Sequence, residues 1–140
     1  MSDQSVLRGG CNCGAVRYEI ASKPLAVIVC HCTSCRRQSG AAFSVNLVVR
    51  ADTMSIEGEL ASWLDPDTES GAPIQRQFCG TCGSPIRSTP TTAPKMIAVK
   101  AGTLDAPEAF APVMHIWTRS ALPWASIPEG LPRFEKGPAA

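Results

Sequence analysis

The chain has 140 residues, of which 44% are hydrophobic and 18% charged, and its formal net charge is +1. That composition is too apolar for a disordered segment, and near-neutrality removes the electrostatic case for binding nucleic acid or an anionic membrane. The length suits one domain around one core, read here as residues 1–136, with a disordered tail at 137–140.

No repeat divides the chain, and 12 prolines and 11 glycines punctuate it into short pieces. In chain order, strand character appears at Val16–Ile20 (VRYEI), Leu25–Val29 (LAVIV), Phe43–Val49 (FSVNLVV), Met54–Gly58, Ile74–Phe78 (IQRQF), Met96–Gly102 and Val113–Thr118 (VMHIWT). Only 33–40 and APEAF from Ala106 read as single helical turns, so the fold class expected is mainly β, built of short twisted strands. The segment LDPDTESGAP from Leu64 reads as a polar loop, and the proline-rich stretch from Ser126 as an extended surface tail. The longest apolar run, Leu25–Val29, is far short of the roughly 20 residues that span a bilayer, and the first ten residues hold no signal core. The expected location is the cytoplasm, where thiols stay reduced.

Seven cysteines are an odd number, which disfavours a pure disulfide framework. They fall in three motifs: Cys11 and Cys13 in GGCNCGAVRY; Cys30, Cys32 and Cys35 in VCHCTSCRRQSG; Cys79 and Cys82 in FCGTCGSPI. Two thiolates two residues apart can wrap a metal in a tight knuckle, with Gly80 and Gly83 easing the turn. A closed tetrahedral zinc site needs four ligands, and Cys11 with Cys13 is the pair available to complete it. Disulfides or a rubredoxin-like iron site are the other readings of this quartet. Closing the 66 positions between Cys13 and Cys79 costs about 4 kcal/mol in loop entropy. A structural zinc contributes on the order of 10 to 16 kcal/mol, so the metal outweighs the loop.

The remaining trio offers three thiolates and no fourth cysteine, the pattern of a zinc with an open position. In extended backbone Cys30 and Cys32 project to one face and His31 to the other, so His31 is not the fourth ligand on that geometry. A second closed site completed by His31, His115 or another side chain, or reduced cysteines without metal, are the bland alternatives. Three thiolates around Zn²⁺ leave a formal charge of −1, a soft site suited to an incoming thiolate; Arg36 and Arg37 could offset that charge and hold a carboxylate of the same ligand. A small anionic thiol is the expected partner. His115 is a candidate for proton transfer. Arg17, Lys100 and Arg119 read by default as solvated charges, and Trp117 and Trp124 as core-edge packing.

Taken together, CNCGAVRYEI, CHCTSCRRQSGAAF, FCGTCGSPI, AGTLDAP and HIWTRSALPW, in this order from about Gly9 to Phe134, resemble the glutathione-dependent formaldehyde-activating enzyme family, which also includes centromere protein V. The resemblance implies a β-tent fold of short antiparallel sheets, a structural zinc at Cys11, Cys13, Cys79 and Cys82, and a second, catalytic-type zinc at Cys30, Cys32 and Cys35. It also implies a carbon-sulfur lyase acting on S-hydroxymethylglutathione, the adduct of formaldehyde with glutathione. The rival expectation is a non-catalytic zinc-binding module that uses the same scaffold for protein partners.

Overall fold

The computed structural model describes residues 6–137. Ten strands are present: β1 (Leu7–Gly10), β2 (Arg17–Ile20), β3 (Ala26–Cys30), β4 (Ser44–Arg50), β5 (Met54–Glu57), β6 (Leu60–Asp65), β7 (Ile74–Cys79), β8 (Pro85–Pro90), β9 (Met96–Lys100) and β10 (Met114–Ile116). One α-helix, α1 (Thr33–Ser39), follows β3. A three-stranded antiparallel sheet runs β1-β2-β5, and a seven-stranded sheet runs β10-β3-β4-β9-β8-β7-β6. The expected mainly β class is therefore the observed one.

Seven strands lie where alternation and β-branched content place them; β1, β6 and β8 were not anticipated. β1 is LRGG and β8 begins and ends in proline, so neither carries a propensity signal, and pairing with neighbours makes them strands. Gly9 pairs with Tyr18 and bridges to Leu104, and a Cβ there would run into Thr103 and the Tyr18 ring, which is why this position takes glycine. β6 ends at Asp65, so the polar loop begins two residues later than its composition suggested.

Period-two alternation divides the seven-stranded sheet into two functionally different faces. Register pairs Val27 with Leu47, Leu47 with Val99 and Val49 with Ile97, and this row packs on Val16, just before β2, and on Tyr18 and Ile20 of the small sheet. All eight are nearly or fully buried, forming the main core. The opposite face carries the residues of the other parity: Cys30 opposite Ser44, Asn46 opposite Lys100, and Ala98 and Arg76 flanking Ser88. Polar residues and the cysteine at the end of β3 are thus segregated by one-residue steps from the core.

All strand pairs are antiparallel except β10 with β3. After β9 the chain crosses to the far edge through short 3₁₀ turns at Ala101–Thr103 and Pro107–Ala109, the second of which is the expected APEAF turn. The tail runs alongside β10: His115 N–H donates to Pro132 O, Phe134 N–H to His115 O and Trp117 N–H to Lys136 O, at 2.9–3.0 Å. The segment expected to lie extended on the surface does so along the sheet edge, which it covers. Of the expected disordered tail, 138–140 lie outside the described residues. Among the described residues no helix is long and apolar enough to cross a membrane.

Candidate metal centres and the cavity beside them

The two cysteine sets come together as two separate clusters: Cys11, Cys13, Cys79 and Cys82, and Cys30, Cys32 and Cys35, with the sulfurs inside each set within 4.8 Å of one another. The quartet is made by two hairpin turns. Cys11 closes the β1–β2 turn, accepting Val16 N–H on its sulfur at 3.2 Å, and Cys79 closes the β7–β8 turn, accepting Thr81 and Cys82 N–H at 3.3 and 3.4 Å. Gly14 and Gly83, one in each turn, have φ of +84° and +83°. Gly83 thus supplies the left-handed conformation that the knuckle requires, whereas Gly80 does not have positive φ. Asn12 N–H donates to Ser84 Oγ at 3.0 Å and joins the two turns.

A tetrahedral metal with bonds of about 2.3 Å to sulfur holds its ligands about 3.8 Å apart. Cys11 and Cys13 sulfurs are 3.6 Å apart, and Cys13 and Cys79 sulfurs 3.8 Å. The donor set fits such an ion. Hydrogen bonding to Ser84 pulls Cys82 down to about 5. Cys13 is pushed up to about 11, where desolvation and the other three sulfurs outweigh a backbone hydrogen bond from Ala15.

In the trio the helix start and the cluster are one feature. Cys32 is the N-cap of α1, its sulfur accepting Cys35 N–H at 3.2 Å, and Gly40 ends the helix in the left-handed region with its N–H on Arg36 O at 2.9 Å. Cys30 precedes on β3, so strand end and first helical turn aim three sulfurs at one point. All three are buried. Hydrogen bonds from Cys30 and Cys32 hold the Cys35 thiol far below its ordinary range, with Lys100 adding to the effect, and the same contacts raise Cys30. Without a cation the cluster therefore favours a single thiolate. Glu69, from the loop after β6, accepts Thr33 N–H and Ser120 Oγ, both at 2.7 Å, pinning the helix N-terminus to the turn after β10. Burial alone would raise the Glu69 carboxyl; the bonds from Ser120 and Thr33 outweigh it and leave the group below its ordinary value.

The trio lines a cavity of about 260 Å³ on the outer face of the seven-stranded sheet. Two cations share it. Lys100 is 6% exposed and has no hydrogen-bond or ion-pair partner among the described residues; burial lowers its pKa against the attraction of Cys35. Arg76 is 2% exposed, paired through Nε and Nη2 with Asp65 Oδ2 at 3.2 and 3.1 Å. Its Nη1 donates to Ser88 at 3.3 Å and lies 4.0 Å from Cys35 Sγ. The expectation that Lys100 is a solvated charge is corrected: strand register puts it on the trio's face. Arg76 and Asp65 were not singled out, yet IQRQF carried a signal, since Arg76 shares parity with the apolar Ile74 and Phe78.

Arg36 and Arg37 do not line this cavity. Cys35 points inward, and each further helical residue turns about 100° away, so both arginines occupy the last turn of α1, where they complement its C-terminal carbonyls. His115 is not brought to the trio either. It pairs with Val29, on the face opposite Cys30, and its Nδ1 meets His31 Nε2 at 2.9 Å; both rings are buried, and burial lowers both pKa values. Trp117 lines the cavity with φ of +57°, held by backbone bonds to Lys136 and Ser120. Trp124, expected at a core edge, is 73% exposed.

A family model described as glutathione-dependent formaldehyde-activating enzyme matches residues 6–120. A Halomonas elongata protein named "putative glutathione-dependent formaldehyde-activating enzyme" is 28% identical over 127 residues, covering 87% of this chain and 81% of that protein. A crystal structure of a Rhodobacter sphaeroides protein shares the fold with a TM-score of 0.55 at 18% identity, covering 91% of this chain and 98% of that one. The chain belongs to the glutathione-dependent formaldehyde-activating enzyme family.

Proposed function

We propose that this member of the family is a zinc-dependent carbon-sulfur lyase that makes and breaks the bond between glutathione and an aldehyde, as in S-hydroxymethylglutathione. The observation that carries the reading is the convergence of Cys30, Cys32 and Cys35 in a cavity that also holds Lys100 and Arg76. Three sulfurs without a fourth protein donor among the described residues fit a metal that leaves one position to a ligand, whereas the quartet fits a metal that leaves none. Zinc bound by the trio would supply a Lewis acid that keeps an incoming thiol in its thiolate form.

The chain's own residues provide the rest. Lys100 supplies an unpaired positive charge where an added thiolate would otherwise make the cluster more negative, and its ammonium is a hydrogen-bond donor available to the hemithioacetal oxygen. Asp65 fixes Arg76 by two hydrogen bonds, so the guanidinium faces Cys35 without contributing a second net charge. Ser44, directly opposite Cys30 and 2% exposed, accepts Asn46 Nδ2–H at 2.9 Å and helps hold the Cys35 thiol below its ordinary range. The apolar walls disfavour water beside the reacting centre. In the addition, the thiol sulfur bonds to the carbonyl carbon, the C=O π bond breaks and the thiol proton ends on oxygen; the reverse expels thiolate.

Exchange spectroscopy of formaldehyde and glutathione with zinc-loaded protein tests the reading. Acceleration over the protein-free reaction is expected; a rate equal to that control removes it and leaves the non-catalytic module.

A further inference from the structure

The cavity beside the trio is larger and less polar than a formaldehyde adduct needs. A hydroxymethyl group adds two heavy atoms, roughly 60 Å³ at about 30 Å³ per water-sized group, against a cavity of about 260 Å³. Its sheet walls are Val48, Ile74, Pro90, Met96, Ala98 and Ile116, contributed by five strands, with Asn46, Arg76, Ser88 and Lys100 two residues along the same strands; Thr68 and Ser70 of the loop before β7 also line it, their hydroxyls already bonded to each other and to Ala72 O. Alternation accounts for this: Val48 follows Asn46, Ala98 precedes Lys100, Ile74 precedes Arg76 and Pro90 follows Ser88, so on each of four strands the sheet face turns from polar to apolar within two residues. Glutathione cannot fill the apolar end. Its amides and carboxylates would lose water there without finding partners. A hydrocarbon group loses nothing.

We infer that the adduct handled at this site is the hemithioacetal of an alkyl or aryl aldehyde, with the aldehyde's hydrocarbon substituent packed against Val48, Ile74, Pro90, Met96, Ala98 and Ile116. This rests on the lyase reading above and names its substrate class. Atoms balance as for formaldehyde: one C–S bond forms, one C=O π bond is lost, and the thiol proton moves to oxygen, with no oxidant or reductant.

Two measurements on the zinc-loaded full chain separate this inference from the reading beneath it. Calorimetric affinities for S-methyl-, S-propyl-, S-butyl- and S-hexylglutathione should rise about fourfold per methylene, on the order of 60-fold from methyl to butyl. Exchange rates with glutathione should be higher for butanal or benzaldehyde than for formaldehyde, each taken relative to its protein-free control. Accelerated formaldehyde exchange with a flat affinity series would overturn the inference and leave the lyase standing. No acceleration for any aldehyde would remove both. Faster exchange of formaldehyde with butanethiol than of butanal with glutathione would place the hydrocarbon on the thiol and also overturn it. Ala98→Phe should flatten the series by filling the cavity. Met96→Asp, at a position already 37% exposed and so tolerant of change, should flatten it by charging the wall. Retained chain-length dependence in a folded Met96→Asp protein would place the binding elsewhere.

Discussion

The two cysteine clusters contrast in a direction that burial alone would not suggest. The quartet lies at the surface, with Cys13 and Cys82 exposed, yet its four sulfurs can saturate an ion; the trio is wholly buried, yet offers only three. Coordinative openness and solvent exposure are thus separate properties. The exposed cluster sits where two hairpin turns meet and ties β1–β2 to β7–β8, with only Cys11 of its four cysteines on the lining of a neighbouring cavity. The buried cluster sits where a strand ends and a helix begins, and the space beside it is shaped by six strands.

Substitutions should break this contrast unequally. The largest effect is expected for Cys79→Ser, which removes a ligand worth a share of the roughly 10 to 16 kcal/mol of a structural zinc site and should abolish cooperative thermal unfolding by circular dichroism. Cys30→Ser should leave a folded protein, lower the metal content by one ion per chain in elemental analysis, and reduce aldehyde exchange to the protein-free rate. Equal loss of folding in both variants would erase the distinction between the sites. Asp65→Ala, which strands the buried Arg76, should cost about 3 to 5 kcal/mol in denaturant unfolding, against near-neutrality had the pair been exposed. Lys100→Met should weaken thiol binding to the cobalt-loaded trio about tenfold, read from its absorption spectrum, while leaving the quartet's metal in place.

The smallest effect concerns the link between α1 and the turn after β10. The folded-state pKa of Glu69 lies below 4.5, so its contribution is fully present above that value and is lost as pH falls through the folded pKa. Glu69→Gln should lower Tm by about 2 °C at neutral pH, and the difference should shrink as pH drops below 4.5. An unchanged difference at acid pH would remove the carboxylate from this role.

Much of this organisation was legible in the chain itself, because cysteine spacing and period-two alternation survive folding unchanged. CHCTSC separates His31 from Cys30 and Cys32 by parity, and the structure places His31 on the opposite face, against His115. What alternation could not supply was register. Arg36 and Arg37 are adjacent to Cys35 in sequence, but helical rotation turns them away; Lys100 and Arg76 are 65 and 41 positions distant from it, and strand pairing brings them in. The same limit hid β1 and β8, whose glycines and prolines become strands only beside partners.

The backbone bonds that tie Pro132, Phe134 and Lys136 to β10 also set an order of assembly during synthesis. Every quartet ligand has left the ribosome once Cys82 emerges, whereas the wall carrying Ile116 and Trp117 waits for residues some fifty positions later. Were both clusters to take metal as proposed, a nascent chain would fasten its scaffold around a first ion well before the second compartment acquires its enclosing edge.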